Sequence, residues 1–429
     1  MKIKFRILAT IILLNSFQVF GQNSGNLSLD SCLIFARNNF ALLKNNNFNN
    51  EILNLQTKNL NANYLPSTDF SATAQYQSQS IEIDINTEGL PPGVEFQFPV
   101  PPLDQYALTL NLTQTIYDGG ITKALKELEK VKTNLQTLKN EFSFQDVKKQ
   151  LTDIWFSVLF LQKTQEQIEN TLNELDAKRN SLKSGLKNGV ITKENYDLLT
   201  VNILQLKQRQ TEINSGIENA LAILSIITGK TINSEIHISV PNDTDLIEEN
   251  NRIENKIFNY QNEIYDNNIK LIKAKRLPKI GAYAIGGYGN PGLTMLKDEW
   301  NPYFIVGANL HWNIWDWNTA KRNKQIQKIN QESINNQKSS FEQSVNVQKL
   351  KLKSDIDKYN SLMIFDKQIL KLHEGICKAM SNKLKNGTLN STEYISAISK
   401  KQQAAIQLEI HKLKLLKCKY DYLIVTGNI

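Results

Sequence analysis

The residue types that most often carry catalysis are few in this chain and poorly spaced. His237, His311, His373 and His411 show no metal-ligand spacing among themselves and have no cysteine pair nearby, so each is expected to be an isolated surface or pore-lining residue. Cys32, Cys377 and Cys418 are odd in number and far apart, which gives no disulfide framework. Cys32 follows Leu29-Asp-Ser in a faint likeness of a lipidation box, but it lies with Leu29, Leu33 and Ala36 at helical spacing and reads as a core thiol. Gly287-Tyr-Gly289-Asn-Pro-Gly292 has the glycine spacing of a dinucleotide fingerprint and follows a strand. Pro291 and a further strand then stand where a helix N-terminus would have to receive the pyrophosphate, so a hairpin loop is expected. No catalytic residue, metal or cofactor is expected, and the chain does not read as an enzyme.

Two other residue sets have spacing with chemical content. Tyr106, Tyr117, Tyr303, Phe304, Trp312, Trp315 and Trp317 gather in and around strand-like segments, where core filler would instead be scattered along the helices. Tyr106, Tyr117, Trp312, Trp315 and Trp317 are therefore expected at membrane interfaces, where an amphipathic ring has one apolar side and one wet side. The second set is a pair of turns, Leu186-Lys187-Asn188-Gly189-Val190 and Leu384-Lys385-Asn386-Gly387-Thr388. Asn-Gly accepts positive φ and makes a sharp exposed turn between two helices. A turn alone does not require the flanking Leu-Lys, which is repeated while the surrounding helix surfaces differ.

These residues depend on the elements around them. In Tyr106–Tyr117 the apolar Tyr106, Leu108, Leu110, Leu112 and Ile116 share one parity, and Ala107, Thr109, Asn111, Thr113 and Thr115 share the other. Such a strand extends roughly 40 Å at ~3.3 Å per residue, enough to cross a ~30 Å hydrocarbon layer at a tilt. Asp118-Gly119-Gly120 then turns the chain into a helix with no Gly or Pro from Ile121 to Ser184. Ile121, Ala124, Leu128, Val131, Leu135, Leu138 and Phe142 keep heptad spacing; the seam slips between Phe142 and Phe144, then resumes at Leu151, Ile154, Val158, Leu161, Ile168, Leu172, Leu175 and Leu182. A helix of this kind is on the order of 100 Å long. Phe70, Ala72, Ala74 and Tyr76 alternate with Ser71, Thr73 and Gln75 as a second strand, and the loop between the two strands holds Pro91, Pro92, Pro99, Pro101 and Pro102.

Residues 1–21 read as a secretory signal, with Lys2, Lys4 and Arg6 before the apolar Ile7–Leu14 and a Val19-Phe20-Gly21 cleavage site. Its loss leaves about +5 of the formal +8 charge, spread thinly and without a basic patch interleaved with aromatics, so nucleic acid is not an expected partner.

The second half restates the first. Ile116-Tyr117-Asp118 is answered by Ile314-Trp315-Asp316, Leu186–Gly189 by Leu384–Gly387, and Ile227-Thr228-Gly229 by Val425-Thr426-Gly427, each pair 198 positions apart. Leu108, Leu110 and Leu112 map to Val306, Ala308 and Leu310 with parity kept. Leu65-Pro66 and Leu277-Pro278 are 212 apart, which puts a 14-residue difference in the loop at 77–105. The first repeat is expected over 22–240, with a hairpin at 67–117, a long helix at 120–187, a return helix at 192–228 and a linker. The second is expected over 241–429, with a hairpin at 279–315, a long helix at 318–385 and a return helix at 391–425. The expected class is mainly α with membrane β. Four strands cannot close a barrel, since the smallest outer-membrane barrels have about eight, and an open edge in lipid leaves backbone groups unpaired at several kcal/mol each. Three copies supply twelve strands.

At this point the chain resembles the TolC-like outer membrane efflux protein family. The resemblance rests on Leu27-Ser-Leu-Asp-Ser-Cys-Leu-Ile-Phe-Ala-Arg-Asn-Asn39, the Tyr64-Leu-Pro66 junction, Ile116-Tyr-Asp-Gly-Gly120 and the paired Asn-Gly tips, in this order and over the whole mature chain. It implies a homotrimeric channel-tunnel, with a 12-stranded β-barrel in the outer membrane of a Gram-negative cell and an α-helical barrel in the periplasm. It also implies an adaptor of the membrane-fusion type at the tips and an inner-membrane pump of RND or ABC type, in efflux or type I secretion. It assigns the turns at Lys187–Val190 and Lys385–Thr388 to adaptor docking and places Glu393 at a periplasmic gate, with Asn195 at the corresponding first-repeat position. Trp315-Asp316-Trp317-Asn318 lacks the Gly-Gly of the first repeat, and a stiffer junction is expected there. The competing reading is a periplasmic coiled-coil structural protein without a pore.

Overall fold

The computed structural model describes residues 27–81, 100–188, 192–233, 236, 238–385, 388–389 and 391–429. In order the elements are α1 (Leu29–Asn39), α2 (Ala41–Ala62), β1 (Ser67–Tyr76), β2 (Asp104–Tyr117), α3 (Ile121–Lys187), α4 (Lys193–Thr228), α5 (Ile253–Ala274), β3 (Lys279–Asn290), β4 (Asn301–His311), α6 (Thr319–Lys385) and α7 (Ser391–Thr426). Helices α3 and α6 have the same length, 67 residues, as do α4 and α7 at 36.

The elements form two compact units. One contains the described residues up to Leu43, together with those of Glu141–Ile253 and Phe341–Ile429. Its core is built on the fully buried Trp155, Phe156, Phe144, Leu224, Ile398 and Tyr422. The other contains Lys44–Asn140 and Glu254–Ser340, and carries the sheet. In α3 the boundary falls where the heptad seam slips. Leu128, Val131 and Leu135 are buried, then Asn140 takes the inward position with its amide 2.8 Å from Asn46, Phe142 is exposed, and Phe144 is buried.

The helical region that precedes β1 is broken at Phe40, which separates α1 from α2. Phe40 is extended (φ −71°, ψ 107°) and its ring meets Phe144 at 5.6 Å. Asn39 turns away to donate to the carbonyls of Ile226 and Ile227, closing the C-terminus of α4.

The four strands make one antiparallel sheet in the order β1-β2-β3-β4. Phe70, Leu110, Gly286 and Phe304 stand side by side across it, as do Thr68, Leu112, Ala284 and Val306. β4 ends at His311, short of the expected 315. Its partner strand begins at Lys279, opposite His311, and the preceding Pro278 has no N–H to extend the ladder.

Candidate channel surfaces and junctions

One face of the sheet is apolar and uncovered. Phe70, Leu108, Leu110, Leu112, Phe304 and Val306 are exposed, Phe304 by 79% of its surface. The opposite face is bound by polar side chains. Ser67 bonds Thr113 at 2.7 Å, Ser71 bonds Thr109 at 2.9 Å, and Gln75 donates to Gln105 at 2.7 Å. On β3 and β4 that polar face is filled by tyrosines: the Tyr303 ring covers Gly287 and the Tyr283 ring covers Gly307, each so close that a Cβ on the glycine would fall within 2.6 Å of the ring. An exposed apolar face in water is unfavourable at roughly 25 cal/mol per Å², and β1 and β4 each leave a ladder edge unpaired within the chain.

The strands pass into the long helices through two junctions built to one plan. In the first, the Asp118 carboxylate accepts from the N–H groups of Gly120 (2.8 Å) and Thr122 (2.6 Å) and from the Tyr64 hydroxyl (2.8 Å). Burial pushes the Asp118 pKa up, but these hydrogen bonds outweigh it and hold the carboxyl below its usual range. Gln114 ties the turn down by donating to the Tyr64 carbonyl at 3.2 Å. In the second, Asp316 accepts from the N–H of Ala320 at 3.0 Å and lies 3.8 Å from Arg276. There the indole N–H of Trp312 donates to the Arg276 carbonyl at 3.0 Å. Gly119 and Gly120 have φ of 73° and 82°; Trp317 and Asn318, 198 positions on, have φ of 52° and 60°.

The interface aromatics named from sequence fall at both ends of the sheet. Tyr117, Trp312, Trp315 and Trp317 lie at the helix end and are exposed, with the rings of Trp315 and Trp317 edge to face at 5.8 Å. Tyr106 lies at the loop end, stacked at 6.1 Å on Trp300, which also stacks on Tyr288 at 5.2 Å. Trp300 has no place in the sequence reading, because it precedes β4 and has no strand parity to betray it. From Tyr106 to Tyr117 the strand runs about 37 Å, or about 28 Å of height at a 40° tilt, close to the apolar band of about 25 Å in outer-membrane barrels.

Among the tip residues, Lys187 and Asn188 are exposed at the end of α3, Lys385 is the last residue of α6, and Thr388 is exposed with its N–H and hydroxyl both 3.0 Å from the Lys383 carbonyl. Gly189, Val190, Asn386 and Gly387 lie outside the described residues. Glu393 is exposed in the first turn of α7. Asn195, its first-repeat counterpart, accepts from the Ser391 N–H at 3.3 Å, so the starts of α4 and α7 are tied together. A charged cluster not foreseen from sequence lies nearby. Glu174 accepts from Lys401 at 2.5 Å and from the Tyr394 hydroxyl at 3.4 Å. Burial, and Glu174 beside it, push the Tyr394 phenol up to about 12.

This architecture has close counterparts among solved structures. The chain matches the outer membrane protein VceC of Vibrio cholerae with a TM-score of 0.67 at 13% identity, over 93% of this chain and 96% of that one. It matches the CmeC outer membrane channel of Campylobacter jejuni at 0.63 and 14% identity, over 93% and 85%. The chain has the TolC-like channel-tunnel fold. The MtrE outer membrane channel of Neisseria gonorrhoeae, solved in an open state, gives a TM-score of 0.65 at 14% identity, over 93% of this chain and 88% of that one. No protein-family model and no curated protein sequence matches the chain.

The residues first weighed for other chemistry have places in the channel-tunnel fold. Gly287 and Gly289 lie within β3, where a Cβ at Gly289 would sit 2.8 Å from the Tyr106 carbonyl. Cys32 is fully buried and its thiol is pushed up to about 12 by burial. His411 departs from the expected isolated surface or pore-lining residue: it is buried, with Nδ1 2.5 Å from the Asp366 carboxylate and Nε2 2.6 Å from the Gln407 amide. Sequence spacing could not reveal it, since Asp366 lies on α6 and His411 on α7. His311 is exposed, His373 is half-buried, and His237 lies outside the described residues. Among the described residues no group of three or more His, Cys, Asp or Glu could hold a metal, and no helix is long and apolar enough to cross a membrane.

Proposed function

We propose that this chain is the subunit of an outer membrane channel, a passive conduit for export across the periplasm and outer membrane. The observation that carries the reading is the sheet, which has an uncovered apolar face, a polar opposite face and two open edges. In lipid such a sheet is stable only when every edge is paired, and three copies joined β4 to β1 supply the twelve strands of a closed ring. The exposed Phe365, Ile369, Leu372 and Ile376 of α6 form a further apolar stripe suited to a neighbouring copy. A pore-free periplasmic coiled coil accounts for the helices and leaves the sheet without a role.

Bilayer recording on the purified protein tests this reading, together with light scattering in detergent. Stable conductance from a trimer is the expected result, and a stable monomer with no conductance overturns it. The exposed tips at Lys187-Asn188 and Thr388 suit docking of a membrane-fusion adaptor, which in turn would couple the conduit to an inner-membrane pump of RND or ABC type. Gly189→Trp combined with Gly387→Trp is expected to abolish export while the trimer still forms. Glu393, exposed at the start of α7, suits a gate of three carboxylates, and Glu393→Ala is expected to raise leak conductance or alter cation selectivity.

A further inference from the structure

The helix ends of the two junctions carry very different charge. Helices α5 and α6 run antiparallel side by side: Asn262 bonds Asn335 at 3.0 Å, Gln331 bonds Asp266 at 2.8 Å, and Asn268 bonds Gln327 at 3.3 Å. Continuing that register places Lys273, Lys275 and Arg276 beside Lys321, Arg322 and Lys324, directly below the sheet. The corresponding first-repeat positions hold Asn61, Asn63, Tyr64, Lys123, Ala124 and Lys126, so six basic residues stand against two. Four of the six are lysines, and none of the four has an ion pair among the described residues. Arg276 lies 3.8 Å from the Asp316 carboxylate, and Arg322 donates to the Trp317 carbonyl at 2.9 Å. By contrast, Lys126 is bonded to Asn61.

The same junction carries the tryptophans. Trp312 and Trp315 are exposed beside the basic residues, where the first repeat has Gln114 and Tyr117. An indole at the edge of an apolar band, with free ammonium groups just beyond it, matches a phospholipid, whose acyl chains and phosphate have the same order. Unpaired lysines add a preference for headgroups with net negative charge, because a zwitterionic headgroup brings its own cation to the phosphate.

We propose that the second-repeat junction binds net-anionic phospholipid of the inner leaflet, and that the first-repeat junction does not. A trimer would then carry three such patches. The inference rests on the channel reading, because it needs the sheet to be in a bilayer.

The test is reconstitution of the full chain into phosphatidylcholine vesicles with and without one-fifth phosphatidylglycerol. Electron spin resonance then measures the relative association of spin-labelled phosphatidylglycerol and phosphatidylcholine with the protein. The wild type is expected to enrich the anionic lipid. Lys273→Gln/Lys275→Gln/Lys321→Gln is expected to lose that enrichment, by about fivefold for each lysine at the headgroups, and Lys123→Gln/Lys126→Gln to keep it. These are exposed or solvent-facing lysines, so the variants retain the fold, and conductance in pure phosphatidylcholine serves as the check. Insertion and conductance without enrichment, or an equal loss in both variants, overturns this inference and leaves the channel reading standing. Failure of the wild type to insert in either bilayer overturns both.

Discussion

The two strand-to-helix junctions do the same task with different residues. Both place a carboxylate on the first free N–H groups of a long helix, both pass through two left-handed residues, and both tie a side chain 198 positions apart, Gln114 or Trp312, to the carbonyl of the residue before Leu-Pro. The difference lies in what stands behind the turn. A Cβ at Gly119 would meet the Ala274 carbonyl at 2.7 Å and the Leu277 Cβ at 3.0 Å, so the second repeat closes off the first junction. Trp317, at the matching position, is 76% exposed and has no such wall. The backbone geometry belongs to the fold, and the identity of the left-handed residue is set by its neighbours. The missing Gly-Gly leaves the φ signs of the junction unchanged.

The sharpest way to break this comparison is to exchange the residues. Gly119→Trp places a side chain in the left-handed region and drives its Cβ into the Ala274 carbonyl, and should lower stability by more than about 3 kcal/mol, read as a fall in the thermal midpoint by circular dichroism. Removal of the carboxylates comes next. Asp118→Ala deprives two N–H groups and the Tyr64 hydroxyl of their acceptor and should cost about 2 kcal/mol, with Asp316→Ala costing about half as much.

Acidification provides a related test. The Asp118 carboxyl titrates below its ordinary range in the folded chain, so its contribution is full above about pH 4 and is lost as pH falls through the lowered folded value. The wild type should therefore lose more stability than Asp118→Asn between pH 5 and pH 3; identical acid profiles would remove the carboxylate's role. Trp317→Gly should be nearly neutral, within about 1 kcal/mol, since relief of a positive φ at a non-glycine residue offsets the loss of the edge-to-face contact with Trp315. The smallest effect is expected from shortening the loop at 77–105 by 14 residues to match the second repeat, because loop closure depends only logarithmically on length. A large loss of assembled trimer in that variant would show that the loop packs as part of the fold.

Much of the fold was legible because it is periodic. Strand parity at Leu108, Leu110 and Leu112 and the 198-residue offset are local and repeated signals, and the sheet and the paired helices follow them. What escaped depends on partners distant in sequence. Phe40 interrupts a helical pattern because Phe144 and the end of α4 claim it and Asn39, and β4 stops where Pro278 leaves its partner strand without a donor. At the candidate gate, the Asn195–Ser391 tie and the Glu174–Lys401 pair join residues about half a chain apart, and single residues carry no period to reveal them.

The two open edges also govern how a ring would be built. A dimer of such sheets still has two free edges, so two chains gain only one seam, whereas the third chain closes two seams at once. Partial assemblies therefore gain less per chain than the closed ring, and formation should depend steeply on the local concentration of chains. Each seam also has to set Phe304 of one copy opposite a residue of the apolar row of the next, since a slip of one residue would turn that row towards the water-filled side. The ring is in this sense its own proofreader: a misregistered seam cannot be extended to closure.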